Sequence, residues 1–170
     1  MTAPTAPALT TERADLLETL AAHRGFLRHT VRGLTDEQAT RRTTASELTL
    51  AGIVQHVAST ERGWADFVVH GTAAMEQSPE DWAQQWQLQP GETLADVLAE
   101  YEEVARYTDE LVASLPDLDA DHALPEAPWF EPGARWSARR VFLHVIAETA
   151  QHAGHADILR ETLDGQKTMG

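Results

Sequence analysis

The segment Ser137 to Gly165, SARRVFLHVIAETAQHAGHADILRETLDG, restricts the fold more than any other stretch of the chain. It reads as one uninterrupted helix, with Ser137 as N-cap and Asp164-Gly165 closing it. At about 100° per residue, His144, Glu148, His152 and His155 project within roughly 80° of one another. Val141 and Leu159 share that sector, so it faces an interior. Three imidazoles and a carboxylate on a core-facing stripe require partners, because unpaired buried polar groups are costly. Glu148 and His152 are four apart and therefore neighbours on the helix surface, the spacing by which one helix offers two ligands to one metal. A third ligand must then come from another helix. For any one of these histidines, a hydrogen-bonded core imidazole is the alternative.

Three further long helices can be read. The first spans about Thr11 to Arg32, capped by Thr10 or Thr11, with Leu16, Leu20, Leu27 and Val31 on the buried face and Gly33 ending it. His23 lies near that face and His29 on the polar side. Thr35 to Gln38 is a T-x-x-Q capping box opening a short turn of helix. The second long helix starts at the N-cap Thr49 and runs to about Val69, with Leu50, Ile53, Val57, Trp64 and Val68 along one face. His56 sits on the flank of this face. Glu61 lies on the apolar face, either supporting a site or buried in an ion pair. Ser78-Pro79-Glu80-Asp81 reads as the start of a short helix bearing Trp82 and Trp86, which cover the core or wall a pocket. The third long helix, capped by Thr93 and reaching about Leu115, turns Leu94, Val97, Tyr101, Val104, Thr108 and Leu111 inward, with no His or paired acid among them.

Pro116 to Trp136 is a long loop before the last helix, and His122 and Glu126 are its candidates for reaching a site. Ala153-Gly154 removes bulk next to His152, as for a close approach by a helix or ligand. Residues 1–9 read as a flexible lead-in and 166–170 as a frayed tail. The expected fold is all-α: an up-down four-helix bundle in a single domain over residues 1–170, with short extra helices and a long loop before the last helix.

With 170 residues the chain can bury one sizeable core. Its net charge of −14 argues against a nucleic-acid partner, which needs Lys and Arg to neutralise phosphates. No run approaches a membrane span, and the uncharged start MTAPTAPALT lacks the pattern of a signal peptide, so a cytoplasmic location is expected. The absence of cysteine excludes disulfides, a thiolate zinc site and a cysteine nucleophile, leaving His, Asp and Glu to hold any metal.

His56 on the second helix, with Glu148 and His152 on the fourth, makes a candidate site of two imidazoles and one carboxylate between facing helices. Three protein ligands with an open position mark a catalytic metal more than a structural one. Zn²⁺ fits that donor set, as do Fe(II) and Ni²⁺. Whether His56 faces the other two decides between a metal site and separately paired core residues.

The blocks LTLAGIVQHVASTERGW and RRVFLHVIAETAQHAGHADILRETLDG resemble the DinB-like superfamily, in particular an actinobacterial branch long labelled as a domain of unknown function. The resemblance runs from about Thr11 to Gly165. It implies a four-helix bundle holding a divalent metal. Members commonly use three His, whereas the mycothiol-dependent maleylpyruvate isomerase branch has Glu as the middle ligand. That pattern implies His56, Glu148 and His152 as ligands here. The isomerase carries a further C-terminal domain that has no counterpart in this sequence, so isomerisation is not expected. Relatives also include thiol S-transferases that use mycothiol or bacillithiol.

The resemblance thus implies a metal-dependent enzyme that transfers a low-molecular-weight thiol to a small electrophile, with the thiol as cosubstrate and His155 and Glu61 as supporting catalytic groups. His155 would orient a ligand, donate a proton or bind substrate, and His144 would be structural. A metal-dependent hydrolase using bound water and a non-catalytic metal- or small-molecule-binding stress protein are the alternatives. An exposed apolar bundle face would support a homodimer.

Overall fold

A computed structural model of the chain describes residues 9–75 and 85–168. Four long helices form its scaffold: α1 (Thr11–Thr30), α3 (Leu50–His70), α4 (Leu94–Ser114) and α5 (Ala138–Asp164). A short helix, α2 (Asp36–Ala39), follows α1, and a 3-10 turn (Gly71–Met75) follows α3. Hydroxyl side chains open each of the five α-helices among the described residues. Thr10, Thr49 and Ser137 accept from the backbone N–H three residues on, and Thr35 and Thr93 form reciprocal capping boxes with Gln38 and Asp96. Each such cap contributes about 1 kcal/mol by satisfying otherwise orphaned N–H groups.

Helix directions follow from the side chains that join the helices. Arg139 at the start of α5 pairs with Glu12 at the start of α1. Arg160 near the end of α5 donates to the carbonyls of Thr30 and Arg32, at 2.8 and 3.0 Å. These two helices are therefore parallel. His56 meets His152 and Trp64 meets His144, so α3 runs antiparallel to α5. Arg13 donates to the carbonyls of Val112 and Leu115, so α4 also opposes α1. The all-α four-helix expectation holds, but the helices do not alternate along the chain. Their order is up, down, down, up, and the link 71–93 joins opposite ends of the bundle.

The core has two apolar clusters, one around Leu27, Ile53, Val57, Val97 and Leu159, the other around Leu20, Phe67, Val112, Val141 and Phe142. On each long helix a buried polar residue lies between them: Arg24, Glu61, Thr108 and Thr149. This layer crosses the bundle at its middle. Within it Glu61 is held by Arg24, Nη2–Oε1 2.5 Å and Nε–Oε2 3.3 Å, and Arg24 Nη1 also reaches Asp109 Oδ1 at 2.8 Å. Arg24 had no place in the sequence reading, although it falls on the stripe Leu16, Leu20, Leu27 and Val31.

The segment expected as a continuous loop before α5 contains a short antiparallel hairpin, β1 (Asp121–Ala123) and β2 (Arg135–Ser137), with His122 opposite Trp136. Strands of three residues carry too little alternation to be read from sequence. Arg135 Nε to Asp121 Oδ1, at 2.6 Å, fixes the register. The loop also completes the helix that follows: Leu118 and Ala120 offer their carbonyls to the first N–H groups of α5, at 2.9 and 3.0 Å. The expected helix start Ser78–Asp81, together with Trp82, lies outside the described residues. Trp86 stands in a turn rather than a helix.

Candidate metal centre

Helices α3 and α5 run side by side, and their shared groove brings together the three residues that the sequence pairs at a distance. One ligand atom from each of His56, Glu148 and His152 lies within 4.8 Å of the others. Tetrahedral ligands at about 2.0–2.2 Å from Zn²⁺ stand roughly 3.5 Å apart, so small side-chain rotations would complete the set. Both imidazoles are buried, each with 8 % of its surface exposed, and Glu148 is half-buried. The pairing of Glu148 with His152 is local, four residues along one helix, with Nε2–Oε2 at 3.5 Å. The approach of His56 depends on the packing of α3 against α5, which sets its ring 4.7 Å from that of His152 at an interplanar angle of 72°.

The hydrogen bonds of these side chains are incomplete. Nδ1 of His56, His152 and His155 is in each case buried with no partner among the described residues. His56 Nε2 has the Thr60 hydroxyl at 3.5 Å, and the Gln85 side chain also hydrogen-bonds the ring. Two facing imidazoles and a carboxylate, short of donors and acceptors in a buried groove, are a donor set suited to a divalent cation.

The electrostatics lead the same way. Burial, reinforced by the neighbouring His152, pushes His56 down to about 4, against the opposing pull of Glu148 and Gln85. Contact with His152 holds the Glu148 carboxyl below the usual carboxylate range, with His144 and His56 acting in the same direction against desolvation. At neutral pH the centre therefore presents a neutral His56 and an ionised Glu148, the protonation states that metal ligation requires.

The other sequence candidates take varied places. His155 is half-buried, its ring 5.5 Å from that of His152. His144 packs edge-on against Trp64 and Trp136, which stack on each other, and its Nε2 is 3.8 Å from Glu148 Oε1. Burial pushes its pKa down. Glu61 is absent from the metal-ligating cluster; both of its oxygens bind Arg24, and the ion pair is the role its contacts describe. Of the two parts expected of Glu61, support for a site or a buried ion pair, the ion pair is the one its contacts form. His122 in the long loop has Nε2 3.2 Å from the carbonyl of Val68 and its ring against Gly71, while Glu126 is exposed. Neither joins the cluster. No helix among the described residues packs closely on Gly154: a Cβ at that position would meet open space, room that stays available to a ligand.

Two residues at the centre had no assigned part in it. Trp86 stacks on His56, ring centroids 3.6 Å apart and planes 11° from parallel. Its carbonyl lies against Gly52, the glycine that a close approach does require. A glycine inside the first turn of a helix, at a cost of roughly 0.5–1 kcal/mol, was the available signal.

Against known families, the model of the mycothiol S-transferases matches residues 15–165. The chain belongs to the mycothiol S-transferase family. The match takes in all four long helices apart from the first turn of α1, and with them every residue of the centre. This agrees with the DinB-like resemblance of the α3 and α5 blocks. No individual curated protein matches the chain. The family implies small-molecule substrates, and no helix among the described residues is long and apolar enough to cross a membrane.

Proposed function

We propose that the protein is a metal-dependent S-transferase that joins a low-molecular-weight thiol of the mycothiol kind to an electrophilic small molecule. The observation that carries this reading is the meeting of His56, Glu148 and His152 in the α3–α5 groove, within a chain of the mycothiol S-transferase family. His56, Glu148 and His152 would hold the cation, with Zn²⁺ favoured by two imidazoles and a carboxylate and Ni²⁺ or Fe(II) compatible with them. A divalent cation there supplies charge that stabilises a bound thiol as the thiolate at neutral pH.

The chain's own residues do the rest. The single ionised carboxylate of Glu148 offsets part of the cation's charge, leaving the centre net positive toward an incoming thiolate. His155, one turn beyond His152, would take the thiol proton or orient the substrate; its ring 5.5 Å from that of His152 supports this reading. Burial of both imidazoles keeps bulk water from the ligand atoms, which strengthens the electrostatics of the centre. Glu61 is paired with Arg24, and any support it gives to the centre would pass through that ion pair.

The test uses purified protein loaded with Zn²⁺, mycothiol and a panel of alkylating and chlorinated electrophiles, with the thioether product followed by mass spectrometry. Thiol-dependent product formation that disappears on chelation and in His152→Ala is expected. Turnover that needs metal but no thiol would replace this reading with hydrolysis by metal-bound water. Wild-type metal content in both His56→Ala and His152→Ala would remove the ligand assignment.

A further inference from the structure

We propose that Trp86 is a positioning residue for the metal centre, and that Gly52 is the position that lets it act. The inference rests on reading His56 as a metal ligand. Helix α3 alone does not set the plane of the His56 imidazole. On its own helix the ring has the Thr60 hydroxyl, at 3.5 Å, and its Nδ1 has no partner among the described residues. What lies flat against the ring comes from the link between α3 and α4. The Trp86 indole covers one imidazole face at 3.6 Å and 11°, and stands edge-on to His152 at 5.6 Å and 62°. Gln85, its chain neighbour, hydrogen-bonds the same imidazole. One short stretch of the link thus touches both imidazoles of the centre.

The backbone of this stretch lies directly against α3. A Cβ at Gly52 would lie 2.1 Å from the Trp86 carbonyl oxygen and 3.0 Å from its carbon. No atom approaches that closely, and a backbone carbonyl cannot swing aside as a side-chain tip can. Gly52 lies one turn before His56 on the same helix, so the carbonyl rests one turn away from the ring that the indole covers. The helix order explains why such an anchor exists. The link joins opposite ends of the bundle, and it meets α3 beside His56. Because side chains that orient a metal ligand typically account for 10–100-fold in affinity, the stack is expected to matter on that scale.

The probe is Co²⁺ alone, bound to the purified full chain and followed by chelator competition and by its visible ligand-field bands, with circular dichroism reporting helix content. Trp86→Leu keeps apolar bulk but removes the stacking plane. It should weaken Co²⁺ binding 10–100-fold and alter the visible bands with unchanged helix content. Trp86→Phe, which can still stack, should stay within a few-fold of wild type. Gly52→Ala leaves the indole intact but displaces its backbone, and should follow Trp86→Leu. Trp129→Ala, at a tryptophan 75 % exposed, should change nothing. Wild-type affinity and bands in both Trp86→Leu and Gly52→Ala would overturn the proposal, as would an equal loss in Trp129→Ala. His56→Ala separates the two readings. Loss of Co²⁺ there with no change in Trp86→Leu removes the positioning role alone, while wild-type binding in His56→Ala removes the ligand reading beneath it.

Discussion

Two of the groups of ionisable side chains buried in this bundle are finished in opposite ways. Arg24 and Glu61, 3 % and 1 % exposed, meet through two contacts, and Asp109 holds a third arm of the guanidinium. Charge and hydrogen bonding close within the chain. His56, Glu148 and His152 also share a buried groove, but an Nδ1 on each imidazole has no partner and no cationic Arg or Lys is bonded to the carboxylate among the described residues. The first group is complete as folded protein. The second is complete only with something added. Burial alone therefore does not mark a functional site; the state of the hydrogen bonds does.

The sharpest way to break this comparison is to remove one partner from the closed pair. Glu61→Ala leaves Arg24 buried with only the half-exposed Asp109 beside it, and should cost about 3–5 kcal/mol by urea denaturation, while metal bound per folded molecule stays at the wild-type level. The mirror experiment is His56→Ala or His152→Ala. Each should lower Zn²⁺ affinity by more than about 100-fold, beyond the effect expected of a merely orienting neighbour. Equilibrium dialysis with elemental analysis reads this outcome, and with metal removed throughout the variants should unfold near the urea midpoint of metal-free wild type.

Acid provides a third contrast. Unfolded His56 takes a proton near 6.5 and folded His56 only near 4. Between these values the unfolded chain binds more protons, so the metal-free protein loses stability as pH falls from about 6.5 toward 4, by roughly 2–3 kcal/mol from this residue. Glu148, whose folded pKa is lowered, adds a loss of the same sign as pH falls through its own range. The urea midpoints at pH 7 and pH 4.5 should lie closer together in His56→Ala than in wild type. The smallest effect belongs to the rim of the closed pair. Asp109 is 43 % exposed, and Asp109→Asn should cost under about 1 kcal/mol by the same titration.

What could be read in advance follows the range of the interactions. The long helices announce themselves through Thr49, Thr93 and Ser137, because capping is decided within three residues. Glu148 and His152 are legible for the same reason: their pairing is four residues along one helix. The place of His56 needed one long-range step, and the family resemblance supplied it. The contacts that stayed hidden join segments whose relative direction no local pattern encodes. The partner of Glu61 is Arg24, 37 positions away on another helix. Trp86 reaches Gly52 and His56 only because two consecutive long helices run the same way. The hairpin before α5 escaped notice because three-residue strands carry almost no periodicity, although the Asp121–Arg135 pair holds them in register.

The groove between α3 and α5 has a mechanical consequence as well. His56 belongs to the first half of the chain, whereas Glu148 and His152 belong to its last helix. A cation shared among them would tie those segments together much as a disulfide does, in a chain that has no cysteine with which to make one. The closed loop is long, about ninety residues, and in the loop-closure picture each doubling of length adds about 0.6 kcal/mol to the entropy removed from the unfolded chain. Such a tie is reversible and set by concentration, because a ligand that binds only the folded state raises stability as its free level exceeds its Kd. The bundle would then be a fold whose firmness follows the supply of metal.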